Sequence, residues 1–163
     1  MPTDTIVLYG QEILRNPSEE VTEFSEDIKS LIVHMYKVME ETKGLGVAGP
    51  QVGVNKRIFV YDVGEGKHAL INPKILKSSG EEISEEGCLS IPGLHGDVAR
   101  ALRVTITGTD ENWKKVKINA RGMLARVFQH ETDHLNGTLF IDRADPETLH
   151  TYKPGEDDED LQD

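Results

Sequence analysis

The segment His130-Glu131-Thr132-Asp133-His134 has the H-E-x-x-H spacing, and Cys88 is the only cysteine in the 163-residue chain. On a helix, residues four apart share a face, so the segment would present two imidazoles side by side with a carboxylate next to them. That pair suits a divalent metal, and Glu131 can then handle the protons of a metal-bound water. A thiolate from Cys88 would complete three protein ligands and leave a fourth position open for chemistry. Val127, His130 and His134 fall at i, i+3 and i+7, so the histidines share a face with an apolar residue. Unpartnered imidazoles turned toward a core would be costly, and a metal satisfies them. Thiolate with imidazole suits Zn2+ or Fe2+. These residues read as a metallohydrolase. A Cys–His nucleophilic enzyme is the competing use, and it leaves the second histidine and Glu131 without a role. Cys88 as a plain buried hydrophobe is the structural alternative.

Two other segments carry signals. Cys88 lies in Glu85-Glu86-Gly87-Cys88-Leu89-Ser90-Ile91-Pro92, where Gly87 permits an unusual backbone and Pro92 is expected to end the segment. The glycine-rich stretch Gly44–Gly53 is no Walker loop, because no Lys-Ser/Thr follows, and no dinucleotide fingerprint, because a helix precedes it. Its sparse side chains suit backbone display to a substrate chain, as in edge-strand recognition. Gln51 offers an amide donor to a carbonyl oxygen that is becoming an oxyanion.

These residues need elements to hold them. Ser25 reads as a helix cap, with Ile28, Leu31, Ile32, Met35, Val38 and Met39 at helical spacing to about Thr42 and Gly44 as the stop. Both methionines read as core. Residues 12–22 look irregular, and the glycine stretch reads as a loop. Strands are expected at Arg57–Val63, His68–Ile71, Leu76–Ser84, Leu102–Gly108 and Lys114–Ile118, the last two as a hairpin. A second helix should run from Ala120 or Gly122 to Leu135, stopped by Asn136-Gly137, with Phe140–Arg143 as a short closing segment. The pattern is α+β in a single domain.

Composition sets the outer limits. With 37% hydrophobic and 29% charged residues the chain reads as an ordinary soluble domain. No apolar run approaches the ~20 residues of a membrane span, no secretory signal is evident at the start, and one cysteine forms no internal disulfide, so a reducing cytoplasm is expected. The net charge is −11, of which −5 lies in Thr151–Asp163. We therefore expect a catalytic unit over residues 1–150 and an acidic, disordered tail over 151–163. An acidic balance argues against direct nucleic-acid binding, which needs a concentrated positive patch.

Taken together, Gly44-Leu45-Gly46-Val47-Ala48-Gly49-Pro50-Gln51, Glu86-Gly87-Cys88-Leu89-Ser90 and Gln129-His130-Glu131-Thr132-Asp133-His134 resemble the three motifs of the peptide deformylases, in order and with comparable spacing, over residues 5–143. The resemblance implies antiparallel sheets packed around a central helix carrying the H-E-x-x-H motif. It implies hydrolysis of the N-formyl group from N-formylmethionine of nascent polypeptides, with release of formate. Cys88, His130 and His134 would hold the metal, Fe2+ in many members, with Zn2+, Ni2+ or Co2+ able to substitute. Glu131 would act as general base and then general acid on the water that attacks the formyl carbon. Gln51 and the backbone N–H of Leu89 would form the oxyanion hole. Leu45, Gly46, Val47, Glu86, Gly87 and Val127 would be the substrate-side positions, with Glu86 also paired to Arg100.

The chain departs from the family's patterns in three places, one being that the insertions marking some longer Gram-positive members are not seen. Val47-Ala48-Gly49 stands where the family commonly has leucine-alanine-alanine, and Gly49 is expected to loosen the loop. No C-terminal helix for ribosome docking is evident, so ribosome proximity would be transient. The rivals are a general zinc peptidase and a non-catalytic metal-binding or redox-sensing module. Glu131 and Gln51 argue against the second, since metal binding alone needs neither.

Overall fold

The computed structural model of the chain describes residues 3–151. Apart from Thr151, the acidic tail lies outside the described residues. Helix α1 (Glu26–Thr42) begins as its cap predicts: Ser25 Oγ accepts from the Ile28 N–H at 3.3 Å, with Glu26 and Asp27 in the first turn. Such a cap is worth about 1 kcal/mol. All six spaced apolar residues, including Met35 and Met39, are buried. The stop falls one residue earlier than expected, at Lys43, which adopts the left-handed conformation (φ 57°).

The glycine stretch is more ordered than a loop. It forms strand β1 (Gly46–Ala48) and a 3-10 turn (Gly49–Val52). A strand of only three residues, flanked by Gly44 and Gly49, has little stability of its own. The strand exists because β2 (Ile58–Tyr61) pairs with it, Gly46 opposite Tyr61 and Ala48 opposite Phe59. Another 3-10 turn, Glu12–Arg15, lies in the region expected to be irregular.

Strand β3 (His68–Ser79) merges one expected strand with half of another. Asn72-Pro73 reads as a turn in sequence, but Asn72 (φ 52°) instead makes a bulge, and its amide clasps the Val21 backbone at 2.9 and 2.8 Å. The real break is at Gly80 (φ 72°), after which β4 (Glu82–Cys88) joins a different sheet. Strand β5 (Ile91–Arg100) was hidden by Pro92. The proline is tolerated because it falls where the β4–β5 ladder is interrupted, between Cys88↔Ile91 and Gly87↔His95. Strands β6 (Arg103–Thr109) and β7 (Lys115–Arg121) form the expected hairpin and lead into α2 (Gly122–Leu135). A short β8 (His150–Thr151) pairs with Leu94 and His95 of β5.

The antiparallel five-stranded sheet runs β1-β2-β3-β6-β7, and the three-stranded sheet runs β4-β5-β8. Helix α1 covers one face of the larger sheet through Ile58, Val60, Ala69 and Ile71. Helix α2 packs on the other face against Phe59, Tyr61, Leu70 and Ile106. Every residue of β2 is therefore buried, which explains its unbroken apolar run. Arg126 ties α2 to the smaller sheet, donating to Val98 O at 3.1 Å and Glu82 O at 2.7 Å. This leaves α2, with residues 130–134 in its last turns, between the two sheets.

Candidate active site

The helical repeat of α2 sets His130 and His134 ring to ring, centroids 5.1 Å apart. Cys88, at the end of β4, brings its Sγ to 3.3 Å from His134 Nε2. One donor atom from each of Cys88, His130 and His134 lies within 4.8 Å of the others. Cys88 and His134 are 5% and 1% exposed. A thiol and two imidazoles converging in a dry site are a good donor set for Zn2+ or Fe2+.

Charge behind the site orients these donors. Glu86 is buried, and its oxygens receive Arg100 Nε at 2.9 Å, Arg100 Nη2 at 3.0 Å, the Arg126 guanidinium, and His130 Nδ1 at 2.9 Å. Burial pushes the Glu86 carboxyl up, but the bonds from His130 and Arg100 outweigh it and hold the group well below the usual carboxylate range. An ionised Glu86 holds a proton on His130 Nδ1, the arrangement that would turn Nε2 toward a metal. Burial, with the charges of His130 and Arg100, pushes His134 down, so that ring is neutral. The network continues from Arg100 Nη1 to Asp133 at 2.6 Å and from Arg143 to the same carboxylate at 2.6 and 3.0 Å.

Across from α2, Gln51 is 1% exposed. Its Oε1 accepts from the Ala48 N–H at 3.0 Å, which turns Nε2 toward Ser90 Oγ (3.2 Å) and Cys88 Sγ (3.7 Å). The amide donor is thus aimed at the cluster of Cys88, His130 and His134. Glu131 packs on Gly46 so closely that a Cβ there would lie 2.8 Å from Glu131 Oε2. Gly46 is a glycine because the carboxylate occupies its side-chain space.

Gly49 behaves contrary to expectation. A Cβ at this position would meet Lys56 O at 2.6 Å and Val54 O at 3.0 Å, and its own carbonyl accepts from the Val54 N–H. The glycine lets two backbone segments approach and tightens the loop rather than loosening it. Gly87 likewise makes room for His95, whose Nδ1 would lie 2.8 Å from a Cβ.

Leu89, Cys88 and His95 line a cavity of about 600 Å³, closed on another side by Thr5, Ile6 and Leu8. Leu45 and Val127 pack together in the cluster beneath α2. Val47 and Glu86, grouped with the substrate side from sequence, point elsewhere: the Val47 side chain is wholly within the α1 core, and Glu86 stands behind His130. Sequence reasoning missed Arg126, Asp133 and Ser90. Arg126 lies one turn before His130 on the same helical face, which is the signal that could have found it. Gln129 was read only as motif; its amide clasps the Ala101 backbone at 3.0 and 2.9 Å and locks α2 to the β5–β6 turn.

Comparison with known proteins agrees with this geometry. Residues 3–150 match the family model described as polypeptide deformylase. The chain is 50% identical over 146 residues to the peptide deformylase of Halothermothrix orenii, covering 88% of this chain and 95% of that one. It is 47% identical over 140 residues to that of Carboxydothermus hydrogenoformans, covering 86% and 92%. Among solved structures, the peptide deformylase of Thermotoga maritima superposes with a TM-score of 0.86 at 41% identity, covering 90% of this chain and all of that one.

Proposed function

Because the chain belongs to the peptide deformylase family and therefore removes the N-formyl group of nascent polypeptides, we propose that Cys88, His130 and His134 hold its metal and that Glu131 moves the proton. The observation that carries this reading is the convergence of those three donors within 4.8 Å. When bound, the ion supplies Lewis acidity to the formyl carbonyl and to the attacking water. Glu131 takes the proton of that water and returns it to the amide nitrogen as the C–N bond breaks, so formate and a free amine leave. Gln51 Nε2, with the Leu89 N–H, donates to the oxygen on which negative charge develops. Fixing Gln51 through Ala48 removes the reorganisation that a free amide would need.

Leu45, Gly46 and Val127 border the methionine side, with Gly46 offering its backbone. Val47 and Gly87 contribute backbone shape. Glu86 acts on the substrate only through His130. Fe2+ is the physiological ion of this reading, with Zn2+, Ni2+ or Co2+ able to replace it. Residues 1–150 form the catalytic unit, acting in the cytoplasm with transient proximity to the ribosome. No helix of the described residues is long and apolar enough to cross a membrane.

The test is formate release from formyl-Met-Ala-Ser by protein purified anaerobically and loaded separately with Fe2+, Ni2+ or Zn2+. Glu131→Ala should retain metal while kcat falls about 10²–10⁴-fold, the usual worth of a general base. Full turnover in the metal-loaded variant would remove Glu131 from the mechanism. Metal bound by every form without formate release would favour the non-catalytic module.

A further inference from the structure

The chain carries 29 acidic against 18 basic residues, yet one face of it is cationic. The α1-side surface of β3, β6 and β7 continues beyond the part that α1 covers. The register puts Lys74, Lys77, Arg103, Lys115, Lys117 and Arg121 on this face, and all six are exposed. Thr105, Thr107 and Asn119 lie between them, and Thr105 Oγ1 donates to Asn119 Oδ1 at 2.8 Å. Among the described residues, none of the six cations forms an ion pair. The carboxylates at the hairpin end are used locally: Asp110 accepts from the N–H groups of Asn112 and Lys114, and Glu111 from the Ala69 N–H and the Tyr36 hydroxyl.

Arg103 and Arg121 are directly opposed across the β6–β7 ladder. Like charges in that position destabilise a sheet. With Lys77 they wall a cavity of about 420 Å³ whose other sides include Ser79, Thr105 and Asn119. A like-charged pair beside a hollow bordered by the Ser79 and Thr105 hydroxyls is an arrangement that an anion relieves.

We propose that this face docks the phosphate backbone of double-helical RNA. The cations run from Arg121 to Lys115 along β7, about 20 Å at strand rise, which matches a row of phosphates and exceeds a single one. The cation rows carry no aromatic residue, and Trp113 at the hairpin end is already stacked on Phe24, ring centroids 5.4 Å apart, so the face lacks the free stacking platforms that hold single strands. Exposed large apolar residues are few here, Leu76 on β3 and the stacked Trp113 at the hairpin end, too little for insertion at a lipid surface. Hydroxyl and amide groups between the cations suit the 2′-hydroxyls of A-form RNA. The choice of RNA over DNA rests on the deformylase reading, because nascent polypeptides emerge from an RNA-rich machine. The overall charge of −11 does not forbid local binding, since charges beyond about 8 Å are screened at physiological salt. The absence of a positive patch, inferred from bulk composition, was an average over a segregated surface.

The experiment is fluorescence anisotropy of a labelled 16-base-pair RNA duplex with the full chain at 50 and 200 mM KCl. The expected result is saturable binding that weakens on the order of 100-fold between the two salts, as for about four neutralised phosphates. The double variant Arg103→Gln/Arg121→Gln should bind at least ten-fold more weakly while releasing formate from formyl-Met-Ala-Ser at the parental rate. The peptide assay thus reports on the enzyme separately from the face. No RNA binding at 50 mM KCl, or equal binding by the double variant, overturns the proposal. So does equal affinity for a DNA duplex, or preference for vesicles containing phosphatidylglycerol. Binding only by a chain ending at Tyr152 would reassign the face to the acidic stretch Glu156–Asp160.

Discussion

The candidate active site joins two regions held by different forces. On α2, helical repeat spaces His130, Glu131 and His134, and charge fixes the helix: Glu86 gathers Arg100, Arg126 and His130, and Arg100 continues to Asp133. Opposite them, Gly46, Gln51 and Cys88 sit on a three-residue strand, a single 3-10 turn and the end of β4, where the ladder is interrupted. Close backbone approaches and neutral hydrogen bonds hold these, with Gln51 fixed between the Ala48 N–H and Ser90 Oγ. The α2 region should therefore tolerate little loss of charge, and the region facing it little gain of volume. Each can be broken without the other.

Glu86→Gln gives the largest expected effect. Glutamine keeps the shape and removes the charge that faces two buried guanidiniums. Breaking a buried pair from one side costs about 3–5 kcal/mol. Losing the carboxylate behind a ligating imidazole weakens metal binding roughly 10–100-fold. Thermal unfolding and chelator competition read the two effects separately. An unchanged Tm with unchanged metal affinity would show that packing, not charge, holds α2.

Gly46→Ala breaks the facing region. The new methyl would lie 2.8 Å from Glu131 Oε2, so the carboxylate must shift. A displacement near 1 Å costs about 10²-fold in rate. We expect kcat/KM to fall by roughly that factor while metal content stays at the parental level. Steady-state kinetics with metal analysis distinguishes this variant from Glu86→Gln, which loses both. Parental kinetics in Gly46→Ala would mean that Glu131 relocates without cost.

The same division explains how much was legible in the sequence. Helix α2, its boundaries and the shared face of His130 and His134 follow from a local period, and α1 from its cap and spacing. What the sequence concealed depends on distant partners. Strand β1 exists because β2 pairs with it, and β5 survives Pro92 because the ladder is interrupted there. Gly49 reads as slack until Lys56 and Val54 are seen against it. Arg126 and Asp133 gain their roles only from distant partners: Glu86, 40 residues away, accepts from the Arg126 guanidinium, and Arg100, 33 residues away, donates to Asp133. The cationic face was invisible for the same reason, since strand register alone gathers Lys74, Arg103 and Arg121 onto one side.

The smallest effect tests whether α2 rests on charge alone. Tyr61 meets Phe128 of α2 edge-on, ring centroids 4.9 Å apart, so the helix also has an apolar seat. Burial, helped by the nearby Glu111 charge, pushes the Tyr61 hydroxyl up to about 12. An unfolded tyrosine titrates near 10. Between those values the unfolded chain loses a proton that the folded chain keeps, so stability falls as pH rises through the window. Below about pH 10 the contribution is fully present. Tyr61→Phe removes this contribution. Urea unfolding of both proteins at about pH 8 and about pH 10.5 should show the variant gaining about 1 kcal/mol relative to the parent at the higher pH. A constant difference would mean that the Tyr61 hydroxyl reaches solvent in the folded state. The seat beneath α2 would then be open on that side, and its charges would carry more of the helix than the apolar contact does.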